Sequence, residues 1–138
     1  MIAPKNFLII ILATIAVSIV IILNPIGDDN SDYSNFTFDA MYLEVDNSIL
    51  ITFSDENNKS SFAVLEILGM EATYHQEFEI IDSKFSQIVP LEKLPKYGWK
   101  TTPVTLEITY DESEIIKMKT EIHDEDQPSS EIIFTLEN

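Results

Sequence analysis

Cysteine and arginine are both missing from this sequence of 138 residues. Without a thiol, the chain cannot form a disulfide bond, a thiolate metal site, a blue-copper site or a cysteine nucleophile. Its folded stability must therefore come from buried apolar side chains and from pairing between strands. The length allows one modest folded domain.

Positive charge is scarce as well. All the basic residues are lysines, and residues 28–138 carry seven of them against 24 acids, a net charge of −17. Such a negative field repels nucleic-acid phosphates and the anionic surface of a membrane. The composition therefore argues against nucleic acid as a partner. It fits a solvated surface, a cation-rich cell envelope or a basic partner.

The longest uncharged run covers residues 7–23 and reads FLIIILATIAVSIVIIL. With its flanking positions it reaches the roughly 20 residues that one helix needs to cross a hydrocarbon core about 30 Å thick. Lys5 precedes the run and acids follow it from Asp28, so the positive-inside rule places the N-terminus in the cytoplasm. We therefore predict a transmembrane signal-anchor over residues 1–27 and a single-pass protein of the cell membrane.

A cleaved secretory signal is the alternative explanation of this segment. Ala16, Val17 and Ser18 include the small residues that a signal peptidase requires. A cut there would leave a mature chain beginning Ile-Val-Ile-Ile-Leu, which does not suit a soluble protein. The uncleaved anchor is therefore the preferred interpretation, and both place the rest of the chain outside the cytoplasm.

Beyond a polar tether predicted at residues 28–35, residues 36–138 show the two-residue period of β-strands. Turn-forming residues separate the runs at Asp46-Asn47, at residues 54–59 and at residues 111–113. The alternating residues that share a face are Met41, Leu43 and Val45; Ile49, Ile51 and Phe53; Val104, Leu106, Ile108 and Tyr110; Ile116, Met118, Thr120 and Ile122; and Ile132, Phe134 and Leu136.

This succession predicts seven or eight short strands and no amphipathic helix after the anchor. Only residues 91–94 have the composition of a helical turn, and Pro90 and Pro95 bracket them. Strands that recur at this spacing are typical of an antiparallel, two-layer β-sandwich of about 100 residues. The predicted fold class is therefore all-β.

The segment from Lys84 to Tyr110 resembles the late strands of extracytoplasmic immunoglobulin-like and fibronectin-III-like domains. In those families a turn with proline and glycine introduces an aromatic residue and then a strand of alternating threonine and apolar residues. Here Tyr97-Gly98-Trp99 and VTLEITY at residues 104–110 follow that order. The resemblance implies an immunoglobulin-like β-sandwich that acts as a binding or structural module, common on membrane-anchored envelope proteins of archaea and bacteria. It transfers no catalytic residue.

An N-terminal apolar helix joined to an outer β-sandwich also resembles the layout of archaeal pilins and archaellum accessory proteins. This sequence lacks a charged processing site before the apolar run and a glutamate early within it. We therefore do not expect pilin-type polymerisation, whereas an envelope or stator-like role stays open.

Two N-glycosylation sequons follow the predicted anchor, at Asn35-Phe36-Thr37 and Asn58-Lys59-Ser60. Glycosylation requires an exposed loop in an exported chain. Asn58 lies in the most turn-like segment of the sequence and Asn35 lies in the tether. Both are candidate glycosylation sites.

Asp28, Asn30 and Asp32 have the one-three-five spacing of a calcium loop. Tyr33 stands where such a loop needs glycine, and the twelfth position holds Asp39 rather than glutamate. An EF-hand is therefore rejected, and these residues remain only a weak candidate cation site.

His75 and His123 each follow a methionine by five residues, and imidazole with thioether suits copper. Residues five apart on a strand point to opposite faces, so neither pair makes a site alone. A metal site would require the fold to bring both histidines together.

No nucleophile elbow and no phosphate-binding loop occurs in the sequence, so we expect a non-enzymatic protein without a cofactor. Trp99 beside Tyr97 is either a ligand platform or an aromatic cap on the core, and the cap is favoured at the end of a sandwich. The predicted function is a membrane-tethered extracytoplasmic module for adhesion, assembly or scaffolding, with an envelope or membrane-complex protein as its partner. The alternative is a metal-binding (copper or calcium) or accessory domain of a membrane complex.

Overall fold

The alternating pattern produces nine β-strands and one short 3-10 helix in the computed structural model, which describes residues 33–136. In chain order the strands are β1 (Phe36–Leu43), β2 (Ser48–Asp55), β3 (Ser60–Ile67), β4 (Tyr74–Glu79), β5 (Lys84–Pro90), β6 (Val104–Tyr110), β7 (Glu114–Thr120), β8 (His123–Asp124) and β9 (Ile133–Leu136). The 3-10 helix, Trp99–Thr101, lies between β5 and β6.

The strands form two sheets of a β-sandwich. One has four strands in the order β5-β2-β1-β8, and the other has five in the order β4-β3-β6-β7-β9. All neighbouring strands are antiparallel except β1 and β8, which pair in parallel over two residues. Placing β1, β2 and β5 in one sheet and β3, β6 and β7 in the other is compatible with an immunoglobulin-like domain. The all-β prediction is thus confirmed.

The core lies between the sheets, where the inward-facing residues of each strand meet. The predicted faces of β2, β6 and β7 are confirmed: Ile51, Ile108 and Ile116, for example, are at most 1% exposed. The buried apolar side chains are Phe36, Phe38, Ala40, Ile49, Ile51, Phe53, Ala63, Leu65, Ile67, Ile80, Val89, Leu91, Val104, Leu106, Ile108, Ile116, Met118 and Ile122.

The apolar set Met41, Leu43 and Val45 does not face the core. β1 instead buries Phe36, Phe38 and Ala40, so Met41 and Leu43 lie half-buried on the outer face of the sheet. Val45 is 94% exposed because the chain turns after β1 ends. Apolar residues occur on both faces of this strand, and the large aromatic side chains decide which face is buried.

Two details of the predicted secondary structure are wrong. Residues 33–136 form nine strands rather than seven or eight, because β8 has only two residues and leaves no periodic signal. The helical turn also occurs at Trp99–Thr101 and not at residues 91–94. Residues 91–94 start with two hydrogen bonds to Asn47 instead. The Leu91 N–H donates to the Asn47 carbonyl at 2.9 Å, and Asn47 Nδ2 donates to the Leu91 carbonyl at 2.9 Å.

The strand registers define two opposite ends of the sandwich. The Asp55 end contains residues 33–35 and the turns 56–59, 80–83 and 111–113, because Phe36 pairs with Asp55 and Ser60 with Tyr110. The Trp99 end contains the turn 44–47 and the loops 68–73 and 91–103. Strands of seven or eight residues separate the two ends by roughly 25 Å.

No helix within residues 33–136 is long and apolar enough to cross a membrane. The predicted anchor, residues 1–27, and most of the predicted tether lie outside the described residues. The membrane location, the domain boundaries and the cytoplasmic N-terminus therefore stay predictions.

The Asp55 end is organised by one buried carboxylate. Asp55 is 3% exposed and its Oδ2 accepts hydrogen bonds from the backbone N–H of Lys59 at 2.8 Å and from both the N–H and hydroxyl of Ser60. Its Oδ1 accepts from the Asn57 N–H at 2.9 Å and from Asn35 Nδ2 at 3.2 Å. The carboxylate therefore joins the first described residues to the β2–β3 turn.

Burial by itself raises the pKa of Asp55. The hydrogen bonds donated by Lys59, Ser60, Asn57 and Asn35 together outweigh it, so the pKa of Asp55 lies below its ordinary value. A carboxyl whose pKa is lower in the folded state adds stability above its unfolded pKa, and this is lost as the pH falls through the folded value.

We predict that Asp55→Asn lowers the free energy of unfolding by about 2–4 kcal/mol at neutral pH, because an amide presents donors to N–H groups that need an acceptor. The loss should shrink as the pH falls from the unfolded pKa of about 3.9 through the lower folded pKa, where the native carboxyl becomes protonated. Urea unfolding at several pH values measures it. Asp111→Asn, the same change in an exposed turn at the same end, is the control. An equal effect of both variants at neutral pH would contradict the role of Asp55.

Candidate functional site

A groove of about 800 Å³ opens at the Trp99 end of the sandwich. Its walls are the loop 69–73 on one side and residues 92–97 on the other, and the ends of β4 and β5 form its floor at Tyr74 and Pro90. The lining is mainly apolar, with Met70 in one wall and Leu94 in the other. It is a cleft of the size that binding sites commonly have.

The loop 68–73 meets the segment that carries the 3-10 helix at a contact that only glycine permits. Gly69 has φ +76°, and a Cβ added there would stand 1.9 Å from the carbonyl oxygen of Thr101. The Leu68 N–H donates to the Pro103 carbonyl at 3.0 Å and holds the same two segments together. The loop 68–73 is therefore packed directly on the segment that carries the 3-10 helix.

Asn47 links this site to the neighbouring turn. Its backbone takes the left-handed conformation, with φ 46°, which asparagine tolerates better than most residues. Its side-chain oxygen accepts from the Tyr42 hydroxyl at 3.0 Å, and its Nδ2 donates to the Leu91 carbonyl at 2.9 Å. These bonds fix the start of the wall 92–97 against the four-stranded sheet.

Trp99 and Tyr97 have different roles. The Trp99 ring packs against the core and lies 5.0 Å from the Tyr42 ring, and its Nε1 donates to Asp124 Oδ1 at 3.1 Å. Trp99 thus caps the core, as the sequence favoured. Tyr97 is 73% exposed and Leu94 is 58% exposed, so these two side chains are the apolar groups that the site offers to a partner.

The charge near the groove differs from that of the domain as a whole. Lys93, Lys96 and Lys100 are three of the seven lysines in residues 28–138. Lys93 Nζ lies 3.3 Å from Glu71 Oε2 across the groove, and Lys96 Nζ lies 5.3 Å from the centre of the Tyr97 ring. An exposed pair of this kind contributes at most about 1 kcal/mol, so a partner's carboxylate can replace it at little cost.

His123 is buried and bonded through both ring nitrogens. Nε2 lies 2.9 Å from Asp39 Oδ1, and Nδ1 lies 2.8 Å from the Asp124 carbonyl. Since a carbonyl and a carboxylate only accept hydrogen bonds, both nitrogens donate, which requires the charged imidazolium. Burial lowers the pKa of His123, but the bonds to Asp39 and Asp124 outweigh it and the pKa is raised.

His75 is separate from His123. It lies on β4 in the five-stranded sheet, exposed, with Nδ1 2.7 Å from Glu66 Oε1 and Nε2 3.1 Å from Glu77 Oε1. These two hydrogen bonds raise the pKa of His75. The fold therefore places the two histidines in different sheets with different partners.

Within residues 33–136, no group of three or more His, Asp or Glu side chains is arranged to hold a metal ion. The other candidate metal ligands, Asp28, Asn30 and Asp32, lie outside that range. Both sequons lie at the Asp55 end, where Asn35 contacts Asp55 directly and Asn58 occupies the β2–β3 turn.

Sequence reasoning did not find the groove or the pairing of His123 with Asp39. The groove is built from loops that are distant in the sequence, and His123 follows Asp39 by 84 positions. The one local signal was the glycine of the loop 68–73, which suggests a backbone with positive φ but not what it contacts.

No protein-family model matches the chain, and neither a curated protein nor a solved structure matches it. The function must therefore be argued from the site itself.

We predict that Gly69→Ala destabilises the domain more than Gly98→Ala does. Gly98 also has positive φ, at 80°, but a Cβ there meets nothing within 4 Å, so its substitution costs only backbone strain of about 1–3 kcal/mol. Gly69→Ala adds the clash with Thr101 and must move the loop. Urea unfolding, followed by the fluorescence of the single tryptophan, measures both. A smaller loss for Gly69→Ala would contradict the close packing of Gly69 on Thr101.

We predict that His123 titrates above its unfolded pKa of about 6.5 and that Asp39→Asn lowers its pKa. Since the folded pKa is raised, the pair stabilises the domain fully below the unfolded pKa, and this is lost as the pH rises through the folded pKa. NMR titration of the two histidines measures it, with His75 as the internal control that Asp39→Asn leaves unchanged. An unchanged pKa of His123 in the Asp39→Asn variant would show that Asp39 does not stabilise the protonated imidazole.

Proposed function

We propose that this chain is a membrane-tethered, extracytoplasmic immunoglobulin-like module that binds a partner protein through the groove at its Trp99 end. Such a module serves adhesion, assembly or scaffolding in the cell envelope. The observation that carries the proposal is the groove itself, with Tyr97 and Leu94 exposed beside it. Apolar and aromatic side chains in a preformed cleft are typical anchors of protein interfaces.

The position of the groove supports this use. The first described residue, Tyr33, lies at the Asp55 end, so any tether formed by the preceding residues joins the sandwich at the end opposite the groove. The loops at the Trp99 end are thereby the loops most remote from that junction. In immunoglobulin-like variable domains, loops gathered at one end of the sandwich are the binding surface.

The local chemistry indicates the kind of partner. The domain carries a large negative charge, which repels acidic proteins at long range. Lys93, Lys96 and Lys100 outnumber Glu92 in residues 92–100, so this segment beside the groove is locally basic, and Lys93 pairs with the exposed Glu71. The site therefore suits a protein segment with an apolar side chain for the groove and a carboxylate for the lysines.

The metal-binding alternative has no comparable support. It needs the histidines and acids to converge, but in residues 33–136 His75 and His123 bind separate carboxylates in separate sheets. The accessory role in a membrane complex remains part of the proposal, because binding a complex through the groove would be one form of scaffolding.

The absence of cysteine permits a direct test in intact cells of the native host. Glu92→Cys places a single thiol in the groove wall, and Ser113→Cys places one in the exposed turn at the Asp55 end. Each variant of the full-length chain is treated with a membrane-impermeant maleimide that carries a photo-crosslinker. We expect both positions to be labelled, and we expect position 92 alone to give a defined crosslinked product.

Adding Tyr97→Ala to the Glu92→Cys chain should reduce that product at least about tenfold, the equivalent of about 1.4 kcal/mol of binding. If neither thiol is labelled, the domain is not extracytoplasmic. If both are labelled but position 92 gives no product, or the same product as position 113, the groove is not the binding site.

A further inference from the structure

The two sequons meet at the Asp55 end but are not equivalent there. In the first, the nitrogen that would carry the sugar is Asn35 Nδ2, and it donates to the buried Asp55 carboxylate at 3.2 Å. The Asn35 carbonyl also accepts from the Glu56 N–H at 3.0 Å. A saccharide would replace one of the two hydrogens of this nitrogen beside a carboxylate that is 3% exposed, and Asn35 itself is half-buried, so a glycan here would crowd the packed Asp55 end.

The second sequon presents its asparagine to solvent. Asn58 is exposed at the tip of the β2–β3 turn, with φ 56°, and its backbone N–H donates to the Asp55 carbonyl at 3.2 Å. A group attached to its side chain extends away from the sandwich without breaking any hydrogen bond of the Asp55 carboxylate. This end is also the one that the proposed partner does not contact.

The hydroxyl of the second sequon is less accessible than its asparagine. Ser60 is 6% exposed, and its Oγ donates to Asp55 Oδ2 at 2.8 Å. Sequon recognition uses this hydroxyl together with the asparagine, so in the folded turn one of the two recognised groups, the Ser60 hydroxyl, is inaccessible. A transferase can therefore recognise the whole sequon only before the β2–β3 turn has folded.

We infer that Asn58 carries an N-linked glycan attached before the Asp55 end closes, and that folded chains carry none at Asn35. This rests on the extracytoplasmic location proposed above. The donor is a lipid-linked saccharide phosphate, and the catalyst is a membrane transferase. Asn58 Nδ2 forms a bond to the anomeric carbon and loses one proton to a base, while the bond from that carbon to the lipid phosphate breaks and the phosphate leaves with the lipid.

The test compares occupancy at three positions of the full-length chain, expressed in a host that glycosylates exported proteins. Asp111→Asn supplies the reference, because it completes an Asn-x-Ser motif with Ser113 in a turn where both residues are exposed. Peptide mass spectrometry of the folded, monomeric fraction should find a glycan at position 58 in the native chain, at positions 58 and 111 in this variant, and none after Asn58→Gln.

Occupancy at Asn35 in the folded fraction would overturn the inference, and so would an empty position 58 beside an occupied position 111. If positions 58 and 111 are both empty, the extracytoplasmic location fails and the inference fails with it. Maleimide labelling of the Ser113→Cys variant identifies this last case, because it tests the extracytoplasmic location without requiring a glycan.

A second experiment tests the order of events. Full-length protein made without the pathway is folded and then supplied with the transferase and a lipid-linked saccharide. We expect transfer to position 111 of the Asp111→Asn variant but at least tenfold less to Asn58, and transfer to both when the chain is unfolded in urea and then diluted. Equal transfer to both positions in the folded chain would show that the Ser60 hydroxyl does not limit the reaction.

Discussion

A single buried carboxylate fixes one end of this sandwich. Asp55 accepts hydrogen bonds from the turn that carries the chain from one sheet to the other and from the side chain that precedes β1. An unpaired charge at 3% exposure would be strongly destabilising, so the donors around it are as necessary as the acid. The crossing between the sheets, the entry of the chain and the accessibility of both sequons all depend on this one group.

Aromatic packing then closes the same end. Tyr33 stacks on Phe134 with 4.3 Å between ring centroids, and the Phe36 ring meets Tyr110 edge-on at 5.5 Å. These contacts connect the first described residues to β1, β6 and β9 in both sheets. At the opposite end, contacts of Gly69 and Asn47 hold loops that enclose a groove between them.

The sequence predicted those parts of the fold in which one face alone is apolar. In β6, Val104, Leu106 and Ile108 alternate with threonine and glutamate, which identifies the buried side, whereas in β1 apolar residues occur on both faces and the pattern selected the outer one. The site was harder because its contacts are non-local. Gly69 touches Thr101 and His123 binds Asp39 through the tertiary fold, and no short-range spacing encodes either pair.

The opposed placement of Tyr33 and the groove has a mechanical consequence. A load between the proposed tether at one end and the proposed partner at the other would run parallel to the strands. β1, the first strand after Tyr33, is paired with β2 over all eight of its positions, from Phe36 opposite Asp55 to Leu43 opposite Ser48. Pulling along that direction loads the whole ladder in shear, so its hydrogen bonds resist together instead of opening one after another as in a peeled hairpin.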